Sequence, residues 1–392
     1  MNKSFINRRL SSSISEAFRY LPVVTLTGPR QSGKTTLCRE LFPELPYANL
    51  EDAAVMDEVQ ADTKAFLGKY PQGVIIDEAQ NYPELFSYLQ VLVDEDRFQG
   101  RSDRHFIVTG SNNFSLIEKV TQSMAGRTVV MTLLPLSTQE IISHVPQAST
   151  SQLILNGGYP AVWTADDGAR PLLLSSYYTT YIERDVRRLI NVRDLRAFQT
   201  FIRLCAGRVG QEFNASSISN EIGVAVNTIR SWLSILNASY VVHLLQPYYA
   251  NISKRLTKTP KLYFYDTGLA AFLLGITTTE QLDVHPLRGS LFENMIVNDF
   301  MKHGTNAGRE EMLSFYRDKS QREVDIMRTL IDKVEAYEIK SSQTFQTDFF
   351  NNLNYVRPLL ADRIIRTTVI YDGDQENPQK DNGFLNFRHL FD

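Results

Sequence analysis

The chain has 392 residues, 43% of them apolar and 22% charged, with a formal net charge of −3. Those proportions fit a globular protein and exclude a disordered chain or a uniformly basic nucleic-acid coat, so any DNA contact must come from a local patch. The length predicts about two to four domains. Two cysteines far apart in sequence, Cys38 and Cys205, and six scattered histidines give neither a disulfide framework nor a zinc spacing. No apolar run reaches membrane-spanning length and the N-terminus lacks a signal-peptide core, so the sequence predicts a cytoplasmic protein without membrane attachment.

Val23–Thr27 reads as a short buried strand, and the run after it, Gly28-Pro29-Arg30-Gln31-Ser32-Gly33-Lys34-Thr35, has the G-x-x-x-x-G-K-T spacing of a phosphate-binding loop. Its glycines allow a turn that brings successive N–H groups onto an anion. Thr36 opens a helical pattern, which sets the phosphates at a helix N-terminus. Lys34 is the residue to reach the β- and γ-phosphates, and Thr35 the one to hold Mg²⁺.

Gly73-Val74-Ile75-Ile76-Asp77-Glu78 is an apolar strand ending in two carboxylates, and the carboxyl ends of such strands face ligands in open α/β sheets. Asp77 suits coordination of Mg²⁺, and Glu78 suits polarisation of the attacking water. A third apolar strand from His105 ends in Ser111 and Asn112, candidates to orient water against the γ-phosphate. Arg127 in Ala125-Gly126-Arg127 is a candidate charge-stabilising arginine.

The series Thr27–Leu37, Ile76-Asp77-Glu78, Thr109-Gly110-Ser111 and Ala125 through Leu134-Pro135-Leu136 resembles the prokaryotic AAA family ATPases of the AAA+/STAND class. The resemblance implies ATP as nucleotide, a parallel-sheet core over 1–145 and assembly into a homo-oligomer. The guanine-reading N-K-x-D motif is missing, in keeping with ATP rather than GTP.

Asn156-Gly157-Gly158-Tyr159-Pro160 is a turn cluster that ends the strand–helix alternation, and 146–210 reads as a helical lid. The same resemblance matches Glu183-Arg184-Asp185 and implies that Arg184 touches nucleotide in its own or a neighbouring subunit; the competing reading is a surface helix with i,i+4 ion pairs. Over 211–282 the sequence predicts a winged helix-turn-helix, with Ile218, Ile222, Ile229, Leu233 and Leu236 as its core and Gly223 at the turn. Arg230 is the one cation of the presumed recognition helix, while Lys254, Arg255 and Lys258 lie in the wing. Those cations suit phosphates without sequence preference, but a recognition helix with one cation is poorly equipped to read base edges, which favours an oligomerisation or scaffold module over nucleic-acid binding; of nucleic acids, DNA is favoured over RNA.

In 283–392 a helix carrying Glu293 precedes strands at Leu313–Arg317, Glu323–Ile326 and Ala336–Lys340. Strand alternation turns Asp325 away from Val324 and Ile326 and sets Glu338 and Lys340 on one face. This order resembles the PD-(D/E)XK nuclease superfamily, a restriction-endonuclease-like α/β fold. The resemblance implies that Asp325 and Glu338 bind Mg²⁺ or Mn²⁺, that Lys340 orients or activates water, and that Glu293 is an auxiliary metal acid. Glu323-Val324 stands where the name-giving proline would precede the aspartate. The expected function is ATP hydrolysis coupled to a nucleic-acid-acting domain; the alternative is a nucleotide-switched regulator whose nuclease fold is inactive and binds partners.

Overall fold

The computed structural model describes residues 5–110, 120, 122–166, 168–186, 194–248, 259–379 and 381–391. Ser111, Asn112 and the wing cations Lys254, Arg255 and Lys258 lie outside the described residues, as does the side chain of Arg184. The chain divides into two compact units, one of Phe5–Pro135 with Thr305–Arg309 and one built mainly from Leu136–Gly304 and Glu310–Asp392.

The first unit is a five-stranded parallel sheet, ordered β2-β3-β4-β1-β5. Its strands are β1 (Val23–Thr27), β2 (Tyr47–Asn49), β3 (Gly73–Asp77), β4 (His105–Thr109) and β5 (Thr128–Thr132). β1 and β3 are buried at every position, as expected of strands covered by helices on both faces. Alternate residues divide between the two faces. Val24, Leu26, Ile75 and Ile107 pack with Leu37 of the helix Lys34–Leu41 and with Leu10 and Ile14. Val23, Val74, Ile76, Phe106 and Val108 pack instead with Phe86, Leu89 and Val93 of the helix Leu85–Phe98. β4 lies between β1 and β3, so the phosphate loop and Asp77 leave the sheet two strands apart, with Thr109 between them.

The second unit opens with short helices, including Thr138–His144 and Thr150–Asn156, and a helical stretch Tyr178–Val186 that contains the backbone of Arg184. The helices Ala215–Ile222 and Val226–Ala238 are joined through Gly223, whose φ of 81° ends the first of them. Ile218, Ile229, Leu233 and Leu236 are buried there, whereas Ile222 is half-buried. Trp232 completes this core, its ring 5.3 Å from Phe198 and 5.5 Å from Phe201 on the helix Leu195–Ala206.

One seven-stranded sheet follows, ordered β12-β11-β10-β9-β8-β6-β7. The hairpin β6 (Val242–Pro247) and β7 (Lys261–Phe264) pairs antiparallel, and β6 joins β8 (Leu313–Arg317) in parallel at Gln246 and Pro247. β9 (Glu323–Leu330) and β10 (Lys333–Lys340) continue antiparallel, then β11 (Ile364–Tyr371) and β12 (Asn382–Asn386) add in parallel. The hairpin before residue 282 and the strands after it therefore share one sheet. Edge strand β7 is held by the helix Arg288–Asn306: buried Asn294 accepts from the Phe264 N–H at 2.9 Å and donates to its carbonyl at 2.7 Å. That anchor sets Glu293, one residue earlier, beside β7.

Candidate functional sites

The loop after β1 carries Gly28 at φ +135° and Gly33 at φ +93°, with Gln31 also left-handed at +62°. A Cβ on Gly28 would meet the Leu133 carbonyl oxygen at 2.3 Å, so only glycine lets the loop pass that close to the chain leaving β5. Buried Arg8 fixes the loop from outside, donating to the carbonyls of Ser32 at 2.7 Å and Leu134 at 2.6 Å. No motif predicts Arg8, because its partners are backbone atoms distant in sequence.

Lys34 is buried, and its ammonium donates to the carbonyls of Gly28 at 3.0 Å and Pro29 at 2.8 Å. Burial lowers its pKa to about 8, against the pull of Glu78 and Asp77. The Ser32 hydroxyl is buried with no hydrogen-bond partner. A cation satisfied by carbonyls and an unpartnered hydroxyl in one loop suit an anionic ligand, since phosphate oxygens accept from both. Thr36 is exposed in the first turn of the helix that starts at Lys34, while Pro29 and Arg30 belong to the loop before it; Arg30 lies 3.7 Å from Glu51.

Asp77 gathers the remaining groups. Its Oδ2 accepts from Thr35 at 2.6 Å and from the Tyr47 hydroxyl at 2.9 Å, and its Oδ1 accepts from the Glu78 N–H at 3.0 Å and from Thr109. Thr35 and Asp77 are thus the residues that would hold Mg²⁺ beside a triphosphate, as hard oxygen donors suited to that ion. Glu78 is left-handed at φ 54°, and its carboxylate accepts from the Gln80 amide. Tyr47 and Thr109 are part of this network through tertiary proximity alone, which no local pattern reports.

Arg127 corrects one expectation. It precedes β5, whose parallel register sets Thr128 opposite Val23 at the start of β1, so Arg127 sits at the amino edge of the sheet, away from the phosphate loop at the carboxyl edge. There it makes a two-pronged pair with Asp94, 2.7 Å on each arm. It is not poised for this chain's own nucleotide.

The second unit brings together Asp325, Glu338, Lys340 and Glu293, and adds Lys261, Tyr263 and Glu323. Each strand contributes by alternation: Lys261 and Tyr263 from β7, Glu323 and Asp325 from β9, Glu338 and Lys340 from β10. Asp325 accepts from the Ile339 N–H at 2.7 Å. Glu338, 3% exposed, accepts through Oε1 from Lys340 at 2.7 Å and Asn352 at 3.3 Å, while its Oε2 is buried without a partner. Burial, with Asp325 nearby, pushes Glu338 up to about 8. Burial pushes Glu293 up to about 7 in spite of Lys261.

Glu293 does not stand open to a metal through Oε1, which accepts from Lys261 at 2.8 Å and from Tyr263 at 2.6 Å. Lys261, 2% exposed, also reaches Glu323 Oε1 at 2.6 Å. Burial opposes its charge, but Glu293, Asp325 and Glu323 outweigh burial and raise its pKa. Among the described residues no group of three or more His, Cys, Asp or Glu side chains is arranged to hold a metal. Asp325 with the unpartnered oxygen of Glu338 fits a cation bound by two carboxylates and water, a usual arrangement for Mg²⁺. No helix among the described residues is long and apolar enough to cross a membrane.

Comparison with known proteins agrees with the first site. Residues 21–142 match the family model of an AAA domain. Residues 147–280 and 288–390 match two models described as domains of unknown function, DUF8612 and DUF4143. The uncharacterized protein Rv2008c of Mycobacterium tuberculosis is 31% identical over 382 residues, which cover 95% of this chain and 82% of the relative. An uncharacterized protein of Haemophilus influenzae is 21% identical over 386 residues, covering 89% of this chain and 91% of that one. Among solved structures, the Walker-type ATPase PABY2304 of Pyrococcus abyssi is 14% identical, covers 69% of this chain and 97% of its own, and superposes with a TM-score of 0.42. With its phosphate loop, Asp77 network and parallel sheet, this chain has a P-loop AAA-type ATPase domain at its amino end and belongs to the same family as Rv2008c.

Proposed function

We propose that the chain binds and hydrolyses ATP at the loop 28–35, and that nucleotide state controls a nucleic-acid-acting site in the second unit. The observation that carries the first half is Asp77, which bonds Thr35, Tyr47, Thr109 and the Glu78 N–H at once. Mg²⁺ held by Thr35 and Asp77 would neutralise the β- and γ-phosphate oxygens. Lys34 moves its ammonium from the Gly28 and Pro29 carbonyls to those oxygens. Glu78 takes the proton of the attacking water, and Gln80 holds its carboxylate until then. Ser111 and Asn112 keep their proposed role toward the γ-phosphate, and Arg184 contacts nucleotide in its own or a neighbouring subunit of a homo-oligomer. ATP turnover by the purified chain, lost in Lys34→Ala and Glu78→Gln, tests this half.

For the chain as a whole we propose the four-part division 1–145, 146–210, 211–282 and 283–392, with a winged helix in the third part and a PD-(D/E)XK-like fold in the fourth. Asp325 and Glu338 are the ligands for Mg²⁺ or Mn²⁺, and the orphaned Oε2 of Glu338 supports that assignment. Lys340 orients water for attack on a phosphodiester, and exposed Arg230 with the wing cations tracks the backbone of DNA in preference to RNA. Cleavage of labelled DNA with Mn²⁺, abolished in Asp325→Ala and Lys340→Ala, tests it. The lack of a three-acid group among the described residues favours a second reading, in which this fold binds a nucleic-acid or protein partner without cutting. Metal-independent DNA binding without cleavage would select that reading.

A further inference from the structure

Four carboxyl groups, Glu293 of the helix Arg288–Asn306, Glu323 and Asp325 of β9 and Glu338 of β10, lie near one another in the second unit. Three cations meet them: Lys340 on Glu338, Lys261 on Glu293 and Glu323, and Arg317 at 3.6 Å from Glu323 Oε2. Arg317 is shared with Glu212, at 3.5 Å, so the carboxyl groups outnumber the cations that meet them. Lys261 is the unexpected member. It comes from β7, in the segment matched by one family model, while the acids come from the segment matched by another. Its position is not incidental packing. Phe264 and Asn294 lock β7 to the helix that carries Glu293, the Gly210 N–H donates to the Leu262 carbonyl at 2.8 Å, and the Lys261 ammonium lies 5.6 Å from the Phe315 ring centre.

We infer that Lys261 is a built-in cation of this acid cluster: its ammonium takes the place of a second metal ion, reserves Glu293 and Glu323 for itself, and leaves Asp325 and Glu338 to bind a single divalent cation. The inference rests on the two-carboxylate metal reading proposed above. Lys261 is a positioning residue, since it fixes acids that flank the ion without touching the ion. The site is consequently shared between the hairpin and the strands that follow it, and a fragment beginning after the hairpin would lack its second positive charge.

Mn²⁺ binding to the full-length, nucleotide-free chain tests this, with free Mn²⁺ read by electron paramagnetic resonance. All variants carry Thr35→Val, which removes a donor from the phosphate loop. We expect this parent to bind one Mn²⁺ per chain and Asp325→Asn to bind none. Lys261→Met, which removes the ammonium shared by Glu293 and Glu323 and leaves them only Tyr263 and Arg317 as partners, should bind two. Glu293→Gln, nearly isosteric and still able to accept from Lys261 and Tyr263, should bind one with an affinity close to that of the parent, well short of the roughly tenfold loss that follows removal of a ligand's close support. That variant decides the matter if Lys261→Met fails to fold, as the loss of one partner from a buried ion pair can cause. The inference is overturned if Lys261→Met still binds one or fewer, or if Glu293→Gln weakens binding by about tenfold or more, the loss expected of a true ligand or its close support. In that case loss of Mn²⁺ in Asp325→Asn would leave the two-carboxylate reading intact. A parent that binds no Mn²⁺ would remove that reading and this inference together.

Discussion

The hydroxyl of Thr35 donates to Asp77 Oδ2 at 2.6 Å, so the two groups suited to share a magnesium ion are bonded directly to each other. The bond joins the first turn of the helix after the phosphate loop to the end of β3, across intervening β4. It holds the loop in register with the acids, so that an ion bridging the same oxygens would require little rearrangement. Pre-ordering of this kind lowers the entropic cost of binding.

Lys34 carries the sharpest consequence of that pre-ordering. Its buried ammonium rests on two carbonyls, which satisfy its hydrogen bonds but leave its charge poorly compensated. We expect Lys34→Met to weaken binding of a fluorescent ATP analogue by about 2–4 kcal/mol, the range for losing a buried charged contact. The same variant should keep or raise the thermal midpoint of the nucleotide-free chain, because an apolar side chain of similar length has no charge to desolvate. Fluorescence titration and calorimetry read the two effects separately.

Glu78→Gln should separate binding from chemistry. The amide keeps the size of the side chain but cannot accept a proton, and loss of a positioned general base costs about 10²–10⁴-fold in rate. Affinity for the ATP analogue should stay near that of the parent chain, while phosphate release falls by that factor. Equal loss of both would assign Glu78 to binding.

The phosphate loop, the strand ending in Asp77 and the E-x-K strand are legible in sequence because each is a local pattern, a run of residues whose spacing is itself the chemistry. Alternation likewise identifies which side chains of β9 and β10 share a face. Lys261 opens an apolar run, yet nothing local marks a lysine whose partners lie 32 and 62 positions further along. Tyr47, Thr109 and Arg8 escape for the same reason. Arg127 misleads in the opposite way: its nearness in sequence to β5 suggests the active edge, but parallel register puts the start of β5 at the other edge. Trp232 could have been found, since Ile229, Trp232, Leu233 and Leu236 form one helical stripe.

His243 gives the second unit a pH signature. It is buried on β6, with Nε2 at 2.9 Å from Asn298 Oδ1, which makes Nε2 the protonated nitrogen of a neutral ring. Burial lowers its pKa from 6.5 to about 4, although the Asn298 hydrogen bond pulls upward. Between those values the unfolded chain holds a proton that the folded chain does not. Stability is therefore fully present above pH 6.5 and falls as the pH drops toward about 4, by about 3 kcal/mol from this group. Denaturant titrations at several pH values should show a shallower acid slope for His243→Gln than for the parent chain.

Gly157 combines a left-handed backbone with a crowded position in the second unit. At φ 65° and ψ −156° it ends the helix Thr150–Asn156, and a Cβ there would sit 2.4 Å from Asp266 Oδ1. Asp266 cannot move aside cheaply, because it is buried and accepts from the Gly158 N–H at 2.6 Å and the Leu269 N–H at 2.8 Å, the latter capping the next helix. Gly157→Ala thus combines backbone strain with displacement of a buried carboxylate, for a loss of about 2–4 kcal/mol. Gly275 provides the control. Its φ is also positive, at 75°, but a Cβ would meet nothing within 4 Å. Gly275→Ala should therefore cost only the left-handed strain, about 1–2 kcal/mol. Equal losses in the two variants would mean that the Asp266 contact contributes nothing, and that the turn at Gly157 can relax away from it.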